Sequence, residues 1–204
     1  MSVHRIVLLR HGETEYNATG RLQGHLDSML TEVGWNQARF AVPALARFDP
    51  VLTVTSDLRR ARDTAGVFAK AAGVTLRVDK RLRETNIGVW QGMTPAEVDT
   101  GWPGDRSRWA GDPTWAPPGG EARVEVAARA TELIAELDTE LEGTVLLCTH
   151  GGTIAAVVAR VLELPLQFWP ALAGIGNCHW TVLTRRRSAA GSWRLATYNA
   201  GITG

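Results

Sequence analysis

Ile6, Val7, Leu8 and Leu9 form an unbroken apolar, β-prone run that stops abruptly at Arg10-His11-Gly12. A run without alternation reads as a strand buried on both faces, which constrains the chain to a sheet covered on both sides, with a polar loop at the strand's carboxyl end. Comparable runs lie at 51–55, 74–78 and 144–148. Helical composition fills the intervals. One helix is expected over 31–48, kinked or split by Pro43. A second runs to about Ala72, with Ser56 and Asp57 standing where caps stand and Gly73 as its stop. A third starts at Thr94-Pro95-Ala96-Glu97, which has a capping residue, a proline at the first position and a glutamate at the third. Others cover 121–141 and 153–164. Segments 177–183 and 193–198 read as two further strands joined through Arg185-Arg186-Arg187, a solvated basic turn, so the sheet is expected to be mixed. Strands alternating with helices make one α/β domain.

A chain of 204 residues buries a full core without disulfide or metal staples. Its formal charge of +1 gives no polyanionic footprint, so neither nucleic acid nor a membrane surface is an expected partner, and any anion must be bound locally. Cys148 and Cys178 read as free thiols of a reduced intracellular protein. The apolar run after His4 and Arg5 is too short for a signal peptide, and 153–164 is too short and too charged to span a bilayer, so the expected location is cytoplasmic.

Three strands end in chemistry: Arg10-His11-Gly12-Glu13, Ser56-Asp57-Leu58-Arg59-Arg60, and Thr149-His150-Gly151-Gly152. In a parallel sheet such ends share one rim. Imidazole can serve as nucleophile or acid–base, guanidinium forks match phosphate oxygens, and free N–H groups at helix starts attract anions. A phosphate-handling site follows. Asn17, Arg21 and Gln23 lie in a turn-rich segment that can reach the same rim, and Glu84 supplies a carboxylate suited to proton donation.

These residues resemble the histidine phosphatase (phosphoglycerate mutase-like) superfamily over nearly the whole chain. The matching blocks are 9–15 with Asn17, Gly24 and Asp27 through Thr31, Gly34 with Gln37-Ala38, Ser56-Asp57-Leu58 with Arg60-Ala61 and Thr64-Ala65, Leu82-Arg83-Glu84 with Gly88, Trp90 and Gly92, and His150-Gly151-Gly152. The resemblance implies a three-layer α/β/α sandwich with a mostly parallel mixed sheet. It also implies phosphoryl transfer through a phosphohistidine without metal or cofactor. Carried over, His11 is the nucleophile, Glu84 the general acid and then base, and Arg10, Arg60 and a protonated His150 hold the phosphoryl group. Asn17, Gln23 and Gly151 match phosphate-binding positions. Within the family, segments 81–85, 90–94, 115–121 and 169–172 through Asn177 resemble actinobacterial members acting on glucosyl-3-phosphoglycerate. That implies hydrolysis of this or a related phosphorylated glycerate or sugar.

Two alternatives stand beside that reading: a cofactor-dependent phosphoglycerate mutase, and a catalytically silent phosphate-binding regulator. The chain lacks the room expected for a mutase's covering insertions. Residues 1–204 are expected to form one domain with an ordered lid or wall at about 93–120. Within it, 101–120 holds too many glycines and prolines for regular structure, and its tryptophans would offer flat faces to a sugar. Arg83 is the expected partner of a glycerate carboxylate. Family members are often dimeric, so a homodimer is a further expectation.

Overall fold

The structure, a computed structural model, describes residues 2–186 and 192–202. Strands β1 (Val3–Arg10), β2 (Pro50–Thr55), β3 (Leu76–Val78), β4 (Gly143–Thr149), β5 (Trp180–Arg185) and β6 (Trp193–Ala200) form one six-stranded sheet in the order β3-β2-β4-β1-β5-β6. The first four are parallel, while β5 and β6 run antiparallel at one side. The helices are α1 (Glu15–Ala18), α2 (Glu32–Ala46), α3 (Arg59–Ala72), α4 (Pro95–Gly101), α5 (Asp105–Gly111), α6 (Arg123–Glu140) and α7 (Gly151–Val161).

The continuous apolar strands are explained by helices on both faces. Ile6 and Leu8 of β1 join Val145 and Leu147 of β4 in a core completed by α6 and α7. Val7 and Leu9 join Leu146 and Cys148 in the opposite core, against α2 and α3. Each fully buried aliphatic side chain contributes about 1.5–3 kcal/mol relative to exposure, so both faces of β1 stabilise the sandwich. The result is the expected α/β sandwich with a mixed sheet.

Several local expectations are corrected. Pro43 does not split α2, which runs unbroken through it; Pro43 is exposed, so the missing N–H and displaced carbonyl are left to solvent. The cap of α3 is Leu58 rather than Ser56 or Asp57. Asp57 is drawn into a bidentate pair with Arg83, and the free N–H of Arg59 is taken at 2.6 Å by Asp27, a residue remote in sequence. The 101–120 stretch does contain regular structure, α5, because Trp102, Trp109 and Trp115 pack around the fully buried Trp90 and give a short helix a core of its own. Arg185 is not a solvated turn residue. It lies on β5, pairs with Asp138, donates to the Val3 carbonyl and stacks on Trp193; Arg187 lies outside the described residues. Both cysteines are buried and free. Among the described residues no helix is long and apolar enough to cross a membrane.

Candidate active site

The register of the sheet builds the site. Arg10 pairs with Thr149 across β1 and β4, so the next residue on each strand, His11 and His150, emerges beside the other. Their rings sit edge to face with centroids 5.2 Å apart. From here the chain leaves β1 toward the α2 face and leaves β4 toward the α7 face. That divergence opens a crevice at the carboxyl ends of neighbouring strands, the place where α/β sheets bind ligands. The cleft is about 190 Å³ and is lined by Arg10, His11, Asn17, Gln23, Arg60, Glu84 and Gly152, with Arg21, Leu22, Ile87 and Trp109 among its further walls.

Arg60, in the first turn of α3, is the keystone of the floor. Its Nε donates to His11 Nε2 and His150 Nδ1, both at 3.2 Å, and its two amino groups donate to the Leu26 and Gly24 carbonyls at 2.8 Å. Burial lowers its pKa to about 10, with the like charge of Arg10 adding to the effect, so it remains a cation at neutral pH. Thr64 Oγ1 holds the N–H of Gly12, and Asn177 and Cys178 both donate to the His11 carbonyl, which fixes the loop after β1 from two sides.

Those contacts set the histidine tautomers. His11 Nδ1 lies 2.7 Å from the Gly12 carbonyl, an acceptor, so the proton sits on Nδ1 and Nε2 presents its lone pair to the floor of the cleft. Burial first, then the Arg60 and Arg10 guanidiniums, holds this imidazole well below its ordinary pKa. His150 is likewise pushed well down by burial and by Arg60, with His11, Arg10 and Arg129 adding to the effect. In the ligand-free fold, burial and these cations disfavour the imidazolium expected at His150. With Nδ1 accepting from Arg60, the neutral ring carries its proton on Nε2, so it offers a hydrogen bond rather than a charge, and the positive charge of the floor comes from Arg10 and Arg60.

Two buried donors here have no partner among the described residues, His150 Nε2 and Arg10 Nε. Buried unpaired donors cost about 1–3 kcal/mol each, which a site tolerates when a ligand supplies the acceptor. Both belong to residues grouped around the His11 lone pair, so the floor is short of acceptors and rich in positive charge. An oxyanion supplies what it lacks. Glu84 stands at the side. Its carboxylate accepts from the N–H groups of Thr85, Gly152 and Thr153 at 2.8, 3.1 and 3.1 Å, the last two being free donors of the first turn of α7.

A match to the family model described as the histidine phosphatase superfamily, branch 1, covers residues 6–201. The chain belongs to the histidine phosphatase superfamily. It is 47% identical to the glucosyl-3-phosphoglycerate phosphatase of Mycobacterium tuberculosis, covering 98% of this chain and 96% of that one. The enzyme of the same name from Mycolicibacterium vanbaalenii is 46% identical over equal shares. A solved structure of mycobacterial glucosyl-3-phosphoglycerate phosphatase with VO3 superposes with a TM-score of 0.91 at 49% identity, covering 98% of this chain and all of that one.

For this histidine phosphatase, the cleft brings together Arg10, His11, Asn17, Gln23, Arg60 and Glu84, with His150 behind them. Asn17 Oδ1 and Gln23 Oε1 are occupied by donors within the wall, the former by Thr14 and Asn177 and the latter by Ser28 and Thr14. Gly151 lies against Arg10, and its neighbour Gly152 lines the cleft. Arg83 is not brought to the cleft: its guanidinium is committed to Asp57 at 2.7 and 2.6 Å. Of the lid tryptophans Trp102, Trp109 and Trp115, all of which pack on Trp90, only Trp109 also lines the cleft. Two residues around the site had no role assigned from the sequence. Asn177, which ends a matching stretch, donates to the His11 carbonyl, and Arg129, which gave no sequence signal, reaches back from α6 to hold the Glu84 carbonyl at 2.9 Å while paired with Glu121.

Proposed function

We propose that this phosphatase hydrolyses phosphomonoesters through a phosphohistidine on His11, and that glucosyl-3-phosphoglycerate is its ester. The observation that carries the reaction is the pairing of a neutral His11, its Nε2 lone pair held in the cleft floor, with buried, unpartnered donors on Arg10 and His150. His11 Nε2 attacks phosphorus and forms a P–N bond as the ester P–O bond breaks, while protonated Glu84 gives its proton to the departing oxygen. Arg10, Arg60 and the His150 Nε2–H stabilise the charge on the equatorial oxygens, with Asn17, Gln23 and the Gly151 turn at the rim. The Glu84 carboxylate then takes a proton from water, whose oxygen attacks phosphorus. The P–N bond breaks, its electron pair returns to Nε2, and phosphate leaves. Residues 1–204 act as one catalytic domain, with the 93–120 segment as a wall beside the leaving group.

The substrate reading is supported by the two relatives of that name and by the near-complete coverage of both chains. Related structures carrying VO3 and inorganic phosphate support an oxyanion in the pocket. Phosphate release is to be measured in EDTA on glucosyl-3-phosphoglycerate, mannosyl-3-phosphoglycerate, 3-phosphoglycerate, sugar phosphates and p-nitrophenyl phosphate, with His11→Ala as control. The reading predicts His11-dependent turnover with the highest kcat/KM on the glucosyl ester. Interconversion of phosphoglycerates, or no His11-dependent turnover, would overturn it.

A further inference from the structure

The cleft grades from a sealed floor to an open mouth. His11 and Arg60 are about 2% and 1% exposed, whereas the Arg21 side chain, at the mouth, is 42% exposed. Arg10 and Arg60 face the phosphoryl site, so a third cation is not required there. Arg21 Nη1 donates to the Gly92 carbonyl at 2.8 Å and reaches Glu97 at 3.4 Å; among the described residues its Nε and Nη2 make no hydrogen bond. The pair with half-exposed Glu97 is long and solvent-screened, so it leaves the guanidinium charge available to a ligand. The apolar side chains that line the cleft with Arg21 are Leu22, Ile87 and Trp109. Trp109 is held in place edge-on to Trp90 at 6.0 Å and by Arg123, which donates to its carbonyl.

We propose that Arg21 is the specificity residue of the leaving-group subsite, selecting phosphate esters whose alcohol carries a carboxylate. The inference rests on the phosphatase reading above and deepens it. With phosphorus over His11 and the ester oxygen toward Glu84, the leaving group projects outward past Arg21 and Trp109. A carboxylate two or three bonds from the ester oxygen is a planar acceptor that matches the free edge of a guanidinium fork, and the same geometry is wasted on a neutral alcohol. The apolar face of Trp109 then remains for the C–H face of an attached sugar. Arg83, the other arginine of this neighbourhood, is excluded by its pair with Asp57.

The test compares kcat/KM for 3-phosphoglycerate and for glycerol 3-phosphate, which share the three-carbon skeleton and differ in the carboxylate. Wild type, Arg21→Lys and Arg21→Gln are measured, the last keeping a donor for the Gly92 carbonyl while removing the charge. The expected result is a wild-type preference for the carboxylated ester that falls at least tenfold in Arg21→Gln and less in Arg21→Lys, mainly through KM, with melting temperatures unchanged. A wild-type preference that survives in Arg21→Gln, or an equal loss on both esters, overturns the role of Arg21 and leaves the phosphatase reading standing. A wild type indifferent to the carboxylate overturns the carboxylate selection and the glycerate-ester reading together, while His11-dependent hydrolysis would still stand.

Discussion

Gly151 and Gly152 are consecutive residues at the start of α7, and the structure assigns them opposite tolerance to a methyl group. A Cβ on Gly152 would lie 2.6 Å from Glu84 Oε1 and 3.2 Å from Thr85 Oγ1, whereas the three atoms nearest a Cβ on Gly151 belong to Arg10, at 3.6 to 3.9 Å. Ordinary contact needs the Glu84 carboxylate to retreat by about 0.8 Å. That movement is cheap for folding, because it displaces the end of a flexible side chain, and Ala exceeds Gly in helix propensity by roughly 0.5–1 kcal/mol. It is costly for proton transfer, since misplacing a catalytic group by about 1 Å can lower the rate about 100-fold. Gly152→Ala is therefore expected to lose about two orders of magnitude in kcat on p-nitrophenyl phosphate. Its melting temperature should stay within a few degrees of wild type, and its affinity for inorganic phosphate should be kept, because the floor is untouched. Gly151→Ala should stay within threefold of wild type. Steady-state kinetics, phosphate inhibition and thermal melts of both variants decide the matter. Equal losses in the two variants, or a Gly152→Ala enzyme within threefold of wild type, would refute the assignment of Glu84's position.

Other consequences follow from the same geometry. His11 and His150 are held neutral in the fold, so below the unfolded pKa of about 6.5 the unfolded chain binds protons that the native chain does not; stability falls as pH drops, by roughly 1.4 kcal/mol per histidine per pH unit. Urea midpoints at pH 7.5 and 5.5 should differ by about 2–3 kcal/mol of stability, and a flat or inverted dependence contradicts the neutral assignment. Arg60→Lys keeps the charge but cannot span two imidazoles and two carbonyls, so kcat/KM should fall at least 100-fold, as for loss of a preorganised oxyanion donor. Arg83→Ala removes a pair that is partly exposed, so its melting point should move little and its preference between carboxylated and plain esters not at all. A changed preference would return Arg83 to the subsite.

Much of the site was legible because the physics that makes a buried parallel strand also fixes where it ends. Ile6–Leu9 had to be interior, Arg10-His11 had to follow at its carboxyl end, and the matching pattern before Thr149-His150 made the two histidines neighbours once the strands paired in register. The α4 capping box and the Gly73 stop were equally visible, being local hydrogen-bond devices written within four residues. What the sequence hid were pairings across long separations. Asp57 reads as a cap until Arg83, remote in the chain, claims its carboxylate, and that same pair removes Arg83 from the cleft. The protonation of His150 depends on how completely Arg60 and the floor exclude water, which no spacing reveals. The lid reads as irregular because its glycines and prolines are visible while the packing of three tryptophans on Trp90 is a tertiary fact.

The central claim, that the phosphoryl group passes through His11, is tested most directly by trapping it. Glu84→Gln with a phosphate-labelled aryl ester is the favourable case. The aryloxide departs without a proton, so His11 is still phosphorylated, while hydrolysis of the P–N bond has lost its base. An acid-labile, base-stable label on His11 is expected to accumulate in Glu84→Gln and to be absent from His11→Ala. A label on any other residue, or phosphate released by Glu84→Gln with no protein-bound label at any time point, would contradict it.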